Sequence, residues 1–184
     1  RFRGYLMDVL EDEDTEVQDA AIRGLSAIGD ASASESILRL AEQLNPDTDT
    51  ERLLLMVDAL AAIGMTPALQ EELFRQEEYP ALLAVEVMGR IKGHAVAELF
   101  KKAFPSQIRS VQRSIASGLA AFGTAEDRDF FLSVLKEQSD GDILKSALYF
   151  LSAVVPSPDL SSFILPFLEH KYPDIRKAAL DACI

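Results

Sequence analysis

The chain has 184 residues but only one cysteine, two histidines and no tryptophan. A single cysteine, Cys183, cannot form an intrachain disulfide, which fits a reducing, cytoplasmic compartment. CxxC, HExxH and GxSxG motifs and a glycine-rich phosphate loop are missing as well. These are the patterns that hold zinc, activate a nucleophile or cradle a nucleotide. We therefore predict a protein that is not an enzyme, with no catalytic residue, no metal ligand and no cofactor.

Long apolar runs are absent too, and positive charge is scarce. No run reaches the roughly 20 apolar residues that a membrane-spanning helix needs. The formal net charge is −12, which disfavours general binding to nucleic acid or to an anionic membrane. The chain begins at Arg1 and stops inside a repeated pattern, so we expect it to be a piece of a longer protein.

One amphipathic pattern, at residues 12–30, organises the sequence: D-E-D-T-E-V-Q-D-A-A-I-R-G-L-S-A-I-G-D. Thr15 and Gln18 have capping-box spacing, which predicts Thr15 as the N-cap of a helix. The apolar residues fall on one stripe of that helix, namely Val17, Ala20, Ala21, Leu25 and Ile28. Gly29 is predicted to end the helix in a left-handed conformation.

Weaker copies of this pattern recur along the chain. Equivalent starts are Val17, Arg52, Ala81, Val111, Leu144 and Ile175, with spacings of 35, 29, 30, 33 and 31 residues. Twelve residues after the first five starts stand Gly29, Gly64, Gly93, Gly123 and Pro156. A helix-ending residue at one offset in five successive units indicates an internal repeat.

Shorter apolar-periodic segments lie between these copies, at residues 34–44, 67–76, 95–104, 127–135 and 159–168, and residues 2–10 are of the same kind. Start signals precede three of them: Thr66 before Pro67, Thr124 with Asp127, and Ser32 with Glu35. No segment shows the sustained alternation of a strand. The predicted fold is therefore all-α, with helix-turn-helix units repeated about five times and stacked to share one core.

The residues E-D-E-D-T-E-V-Q-D-A-A-I-R-G-L-S-A-I-G-D and H-K-Y-P-D-I-R-K-A-A-L-D-A-C-I resemble HEAT repeats. That family has an acidic turn, then Val-Arg or Ile-Arg, then small and leucine positions, then Gly-Asp. Ile175-Arg176 matches this pattern, the first unit has Val17-Gln18, and the other units drift further. The resemblance covers nearly the whole chain and implies an α-solenoid forming one domain over residues 1–184. Armadillo and tetratricopeptide repeats fit less well.

Charge is unevenly distributed along the sequence. Residues 1–80 carry 6 Lys and Arg against 18 Asp and Glu, whereas residues 90–113 have a net charge of +5. We call the basic residues of the latter stretch the basic island: Arg90, Lys92, Lys101, Lys102, Arg109 and Arg113. They are the candidate partner-binding residues, for an acidic protein segment, a phosphate or a nucleic-acid backbone. The alternative is that they are solvated or paired with neighbouring acids, as Glu86 and Arg90 are expected to be at i, i+4.

The HEAT resemblance places Lys101 and Lys102 on a second helix, the helix of each pair that lines the concave, partner-binding side. It places Arg109 and Arg113 on a first helix, so the basic island is expected to be divided between two faces. The third copy departs most from the pattern, because Gly89 replaces a leucine there. This glycine suggests close approach of another helix, or simple degeneracy of the repeat.

The resulting functional hypothesis is a cytoplasmic, non-enzymatic scaffold that binds a protein partner on its concave face. HEAT-like bilin lyases suggest an enzymatic alternative, which requires a deep aromatic-walled pocket with converging arginine and carboxylate groups. Binding of an anionic backbone by the basic island is a third alternative, although nucleic acid is the less favoured partner of so acidic a chain. The oligomeric state and the partner's identity do not follow from the sequence.

Overall fold

A computed structural model describes residues 2–154 and 157–183, and that part of the chain is helical and contains no strand. Its α-helices are α1 (Phe2–Val9), α2 (Thr15–Ala27), α3 (Ser34–Glu42), α4 (Thr50–Ile63), α5 (Pro67–Leu73), α6 (Glu78–Ile91), α7 (His94–Ala103), α8 (Arg109–Phe122), α9 (Arg128–Glu137), α10 (Gly141–Val154), α11 (Ser157–Leu168) and α12 (Pro173–Asp181). Single 3₁₀ turns lie at Ala31–Ala33, Phe104–Ser106 and Ala125–Asp127. The all-α prediction is confirmed.

The chain divides into two compact units, Arg1–Ile91 and Lys92–Ile184. In the first unit, α2, α4 and α6 pack side by side in chain order, while α1 packs on α2, α3 on α4 and α5, and α5 on α6. In the second unit, α8, α10 and α12 pack in the same way, α7 packs on α8, α9 on α10, and α11 on α10 and α12. Helix pairs stacked in this manner are the building plan of an α-solenoid. The single-domain prediction over residues 1–184 stays a prediction.

The six predicted starts all lie in the first helices of these pairs, α2, α4, α6, α8, α10 and α12. Burial defines their common register more closely. Each first helix has one residue from which its buried positions can be counted: Gln18, Leu53, Ala81, Gln112, Leu144 and Ile175. In every helix the residues three, four and seven positions after this reference residue are buried, apart from the half-buried Ala178. The predicted starts Val17, Arg52 and Val111 are therefore one residue early, and the other three are in register.

Helix α2 shows what this one-residue shift means. Val17 and Ile28, both predicted to lie in the stripe, are 39% and 53% exposed, whereas Ile22 is fully buried. The helix turns a face centred on Ala21, Ile22 and Leu25 toward α1 and α4. The predicted stripe was right at Ala21 and Leu25 and wrong at Val17, Ala20 and Ile28, which are exposed because they lie beside the packed face rather than on it.

The start of α2 also differs from the prediction. Asp14, not Thr15, is the N-cap, and its side chain accepts a hydrogen bond of 2.8 Å from the backbone N–H of Glu16. The Gln18 amide donates to the carbonyl of Asp12 at 2.7 Å instead of closing a capping box. Because a charged carboxylate at the N-terminus also interacts with the helix dipole, aspartate outcompetes the neighbouring hydroxyl here.

The end of α2 is as predicted. Gly29 has φ +65°, and its N–H donates to Ser26 while the N–H of Asp30 donates to Leu25. This is the Schellman pattern, in which a left-handed residue lets the chain satisfy the last helical carbonyls. Gly64 and Gly93 also have positive φ, whereas Pro156, the corresponding residue of the fifth copy, lies outside the described residues.

Gly123 ends α8 for a different reason. Its φ of −60° is open to any residue, but a Cβ atom there would lie 2.6 Å from the Leu119 carbonyl oxygen and 3.0 Å from Phe150 Cε2. A Cβ atom at Gly89, by contrast, would have no other atom within 4 Å. The suggestion that Gly89 permits close helix approach is therefore wrong.

The second helices start with two buried hydroxyls in the first unit. Thr66 caps α5 by accepting from the N–H of Leu69, with Pro67 at the first helical position as predicted. Its hydroxyl also lies 2.7 Å from that of Ser34, the first residue of α3. Both side chains are almost fully buried, so the hydroxyls satisfy each other and tie the starts of two consecutive second helices together.

The other two predicted caps have different outcomes. Thr124 and Asp127 form the predicted capping box, on the 3₁₀ turn that leads into α9. Ser32 does not cap α3, because it lies inside the preceding 3₁₀ turn, whose own cap is Asp30. Although burial opposes it, hydrogen bonds from Ser32 and the pairing with Arg3 lower the pKa of Asp30 below its ordinary value.

Phenylalanines form the centre of the second unit. Phe131 of α9 stacks on Phe150 of α10 with ring centroids 4.2 Å apart, and Phe130 and Phe104 continue the cluster through edge contacts. Phe131 and Phe150 are buried, which agrees with a core role, whereas Tyr149 on the same helix as Phe150 is 69% exposed. The tyrosine is therefore a surface residue.

Candidate functional site

The basic island is distributed over three helices and one connection. Arg90 lies on α6 in the first unit, and the other five residues lie in the second unit: Lys92 before α7, Lys101 and Lys102 on α7, and Arg109 and Arg113 on α8. Lys92 is exposed and has φ +59°, a left-handed conformation that is unusual for a non-glycine residue. As predicted, Lys101 and Lys102 lie on a second helix, and Arg109 and Arg113 lie on a first helix.

Three residues of the basic island pair with carboxylates, namely Arg90, Lys101 and Arg113. Arg90 pairs with Asp58 on α4 and, at 3.3 Å, with Glu86 one turn before it, the contact expected from the sequence. Lys101 Nζ lies 2.8 Å from the buried carboxylate of Asp127. Burial opposes protonation of Lys101, but this contact raises the pKa of its ammonium group above the ordinary value. Lys101 is therefore a structural cation that holds α7 to the turn before α9.

The two arginines on α8 point toward the next repeat. Arg113 contacts Asp140 through three hydrogen bonds of 2.7 to 3.1 Å. The Arg113 guanidinium holds the pKa of Asp140 below its ordinary value, and Asp140 raises the pKa of Arg113. Arg109 donates to the amide oxygens of Gln112 and Gln138, which carry no net charge. Arg113 is thus neutralised by a carboxylate, whereas Arg109 has no carboxylate partner among the described residues.

These contacts belong to a wider pattern of ion pairs between neighbouring repeats. Along the first helices of the two units the pairs are Arg52–Asp19, Arg90–Asp58, Arg113–Asp140 and Lys145–Asp174. Partners in the first three pairs are 27 to 33 residues apart in sequence, close to one repeat length. Ion pairs with at least one solvent-exposed member contribute about 0–1 kcal/mol each, so they add little to stability individually.

A groove of about 450 Å³ lies between α3 and α5, two consecutive second helices of the first unit. We call it the α3–α5 groove, and it is lined by Glu35, Leu38, Arg39, Glu42, Pro67, Ala68, Glu71, Glu72 and Arg75. Four glutamates and two arginines line it together with apolar side chains. It is partly open to solvent, and its size suits a side chain or a short extended segment.

Arg75 organises the charges at one end of the α3–α5 groove. Its guanidinium lies 3.0 Å from Glu42, 2.9 Å from Glu72 and 3.4 Å from Glu77. Burial and the nearby Glu42 carboxylate raise the pKa of Glu72 above its ordinary value, although Arg75 opposes this. One arginine thus pairs with three carboxylates. Since four glutamates and only two arginines line the groove, the groove carries a net negative charge.

A second groove, of about 560 Å³, lies between α10 and α12 and is lined by Lys145, Tyr149, Ser152, Asp174, Lys177, Ala178, Asp181 and Ala182. Tyr149 is the one aromatic residue among these lining residues. The enzymatic alternative requires a deep pocket with several aromatic walls and converging arginines. This groove does not have that composition.

The histidines and carboxylates form no metal centre in the described part of the chain. Residues 2–154 and 157–183 contain no group of three or more His, Cys, Asp and Glu that could hold a metal ion. His94 Nδ1 lies 3.4 Å from a Glu126 carboxylate, and the ring of His170 stacks near Phe167. Within the same residues, no helix is long and apolar enough to cross a membrane.

The two units differ strongly in charge. Arg1–Ile91 holds 7 Lys and Arg against 19 Asp and Glu, and Lys92–Ile184 holds 11 against 11. The whole net charge of −12 therefore belongs to the first unit. Long-range attraction of this unit is toward cationic partners.

Comparison with known proteins supports the fold alone. No family model matches the chain, and no curated protein matches it. In structure the chain is similar to an engineered protein whose crystal structure was determined by the Northeast Structural Genomics Consortium. The two share 20% sequence identity with a TM-score of 0.55, over 100% of this chain and 95% of that one.

Proposed function

We propose that the chain is a non-enzymatic protein-interaction scaffold of HEAT-like repeats, acting in the cytoplasm. The observation that carries this proposal is the α3–α5 groove, which lies open between two consecutive second helices. The resemblance to HEAT repeats implies that second helices line the partner-binding face. Such a surface presents many side chains along one direction, which suits an extended protein segment.

The charges of the groove favour a basic partner segment. Four glutamates face two arginines there, and the surrounding unit carries the whole net charge of the chain. The raised pKa of Glu72 indicates a carboxylate held in an unfavourable environment. A lysine or arginine of a partner would relieve that environment and form a charge-assisted hydrogen bond.

The basic island supports a second version of the scaffold proposal, in which the partner segment is acidic. Lys92 is exposed and has no ion-pair partner among the described residues, and Arg109 contacts only uncharged amides there. However, Arg90, Lys101 and Arg113 already face carboxylates. An acidic partner would have to compete with those internal pairs, so we place the groove first.

Affinity capture from a lysate of the source organism, at low and moderate salt, tests both versions. Wild type is compared with Glu71→Lys in the groove and with Glu51→Lys, an equal charge change at an exposed position on α4. Lys92→Glu, at an exposed residue with no ion-pair partner among the described residues, tests the basic island. The groove proposal expects one discrete protein to be retained by wild type and Glu51→Lys and lost by Glu71→Lys.

Other outcomes have distinct meanings. If only Lys92→Glu fails to retain the partner, the binding site is the basic island and the partner segment is acidic. Equal retention by every variant would exclude both surfaces. Retention of a coloured small molecule by all variants would instead support the enzymatic alternative.

A further inference from the structure

Two hollows lie side by side on α5. One is the α3–α5 groove, and the other, of about 400 Å³, is lined by Pro67, Gln70, Glu71, Phe74 and Arg75. We call the second one the Phe74 hollow. Pro67, Glu71 and Arg75 line both hollows. Because these three residues are four positions apart, they form one ridge along the helix, and each hollow lies beside it.

The two sides of this ridge differ in chemistry. Successive residues of an α-helix are about 100° apart, so Gln70 and Phe74 lie on one side of the ridge, and Ala68 and Glu72 on the other. The groove side adds the glutamates of α3 and α5. The other side adds the half-buried ring of Phe74 and an uncharged amide. The groove therefore suits a cation, and the Phe74 hollow suits an apolar side chain.

Two carboxylates of the groove are left over by its own arginines. Arg75 pairs with glutamates at one end of the groove, and Arg39 pairs at 3.3 Å with Glu11, which does not line it. Glu35 on α3 and Glu71 on α5 are exposed, and neither has a cationic partner among the described residues. A cation from a partner therefore has two carboxylates to meet without displacing Arg75.

We propose that the basic partner segment carries an apolar residue close to its cation, and that the two side chains enter the two hollows on opposite sides of the ridge. This inference rests on the proposed function, because it takes the groove as the binding site. The cation pairs with Glu35 and Glu71, and the apolar side chain packs on Phe74 and Pro67.

The geometry of the ridge limits the spacing of the two partner residues. A helix with its side chains is about 10 Å across, so hollows on the two sides of one of its ridges lie within about that distance. An extended chain advances about 3.3 Å per residue. The cation and the apolar residue are therefore about two or three positions apart in the partner.

Fluorescence anisotropy with labelled synthetic peptides tests this inference. The first peptide contains Arg-Gly-Gly-Leu between flanking glycines and serines, and in the second peptide serine replaces the leucine. We expect wild type to bind the leucine peptide about tenfold more tightly, because the side chain leaves water. Added salt is expected to weaken the binding of both peptides but to keep this preference, since salt screens the ionic contact alone.

Variants assign each contribution to its hollow. Phe74→Ala is expected to reduce the affinity for the leucine peptide to that for the serine peptide, whose binding it leaves unchanged. Gln70→Asp, which places a charge in the Phe74 hollow only, is expected to reduce the same preference. Glu35→Lys, in the groove only, is expected to weaken both peptides about tenfold and keep the preference. Glu51→Lys is again the control.

The ratio of the two affinities is the deciding quantity, because a variant that is partly unfolded weakens both peptides alike. Equal affinity of wild type for the two peptides, binding of neither peptide, or a preference that survives both Phe74→Ala and Gln70→Asp overturns this inference. Capture from lysate with Glu71→Lys separates this failure from that of the proposed function. If Glu71→Lys still loses the captured protein, the groove remains the binding site, and if it retains that protein, the proposed function fails as well.

Discussion

Replacing Gly123 by alanine is expected to destabilise the protein, although alanine ordinarily suits a chain of helices better than glycine does. The backbone at this position has φ −60° and ψ 160°, which alanine adopts without strain. The difficulty is space. The added Cβ would lie 2.6 Å from the Leu119 carbonyl oxygen, 3.0 Å from Phe150 Cε2 and 3.1 Å from Asp127 Oδ2.

The magnitude follows from those contacts. Because the nearest atom belongs to the backbone and Phe150 is buried, relief requires the end of α8 to move against α10. Overpacking of this kind costs about 1–3 kcal/mol. For a chain of this size, each kcal/mol lowers the thermal midpoint by about 2–4 °C. We expect a fall of about 4–8 °C for a cost near the middle of that range.

Gly89→Ala is the matched control, because it adds the same methyl group inside α6 where no atom lies within 4 Å. There the higher helix propensity of alanine is expected to raise stability by about 0.5–1 kcal/mol. Thermal unfolding followed by far-ultraviolet circular dichroism measures both variants. Unchanged or increased stability of Gly123→Ala, or an equal loss in both variants, would refute the steric reasoning.

Three further predictions concern the core, a cap and a carboxylate. Phe131→Ala, in the buried aromatic cluster, is expected to cost about 3–5 kcal/mol in urea unfolding, and a cost below about 1 kcal/mol would contradict the packing described. Asp14→Ala is expected to cost about 1 kcal/mol by loss of the α2 cap, and Thr15→Ala less than about 0.5 kcal/mol; the reverse order would restore Thr15 as the cap. Because its arginine partner lowers the pKa of Asp140, this carboxylate stabilises the fold above its unfolded pKa of about 3.9. Stability is lost as the pH falls through the lower, folded value. Asp140→Asn, which can still cap α10, should therefore be less stable than wild type near neutral pH and approach it below about pH 4; a pH-independent difference would argue against the linkage.

The fold was predictable because its determinants are local. The left-handed Gly29 and the Thr66 cap each depend on residues within one turn of a helix. The regular spacing of the copies along the sequence predicts that the helix pairs stack on one another. Which face of a helix is buried depends less on the local sequence. Val17 and Ile22 are both apolar and lie on the same helix, and only the position of α1 and α4 decides that Ile22 is buried.

The candidate site was less predictable for the same reason. Counting charge along the sequence makes residues 90–113 a basic island, but Arg90 meets Asp58 and Arg113 meets Asp140, 32 and 27 residues away. Such partners become neighbours only after the repeats have stacked. The α3–α5 groove was not predicted either, because its lining residues come from two helices whose spacing the sequence does not state.

The buried hydroxyl pair between Ser34 and Thr66 limits how far this chain can be treated as a set of exchangeable modules. The buried Ser34 hydroxyl has its hydrogen bond with Thr66, whereas the Thr66 hydroxyl also accepts from the N–H of Leu69. Excision of the α4–α5 repeat, or transplantation of α2–α3 into another array, would therefore leave a buried polar atom unpaired, at about 1–3 kcal/mol. Repeat shuffling at this boundary needs a matching serine or threonine in the incoming repeat, or an apolar replacement on both sides.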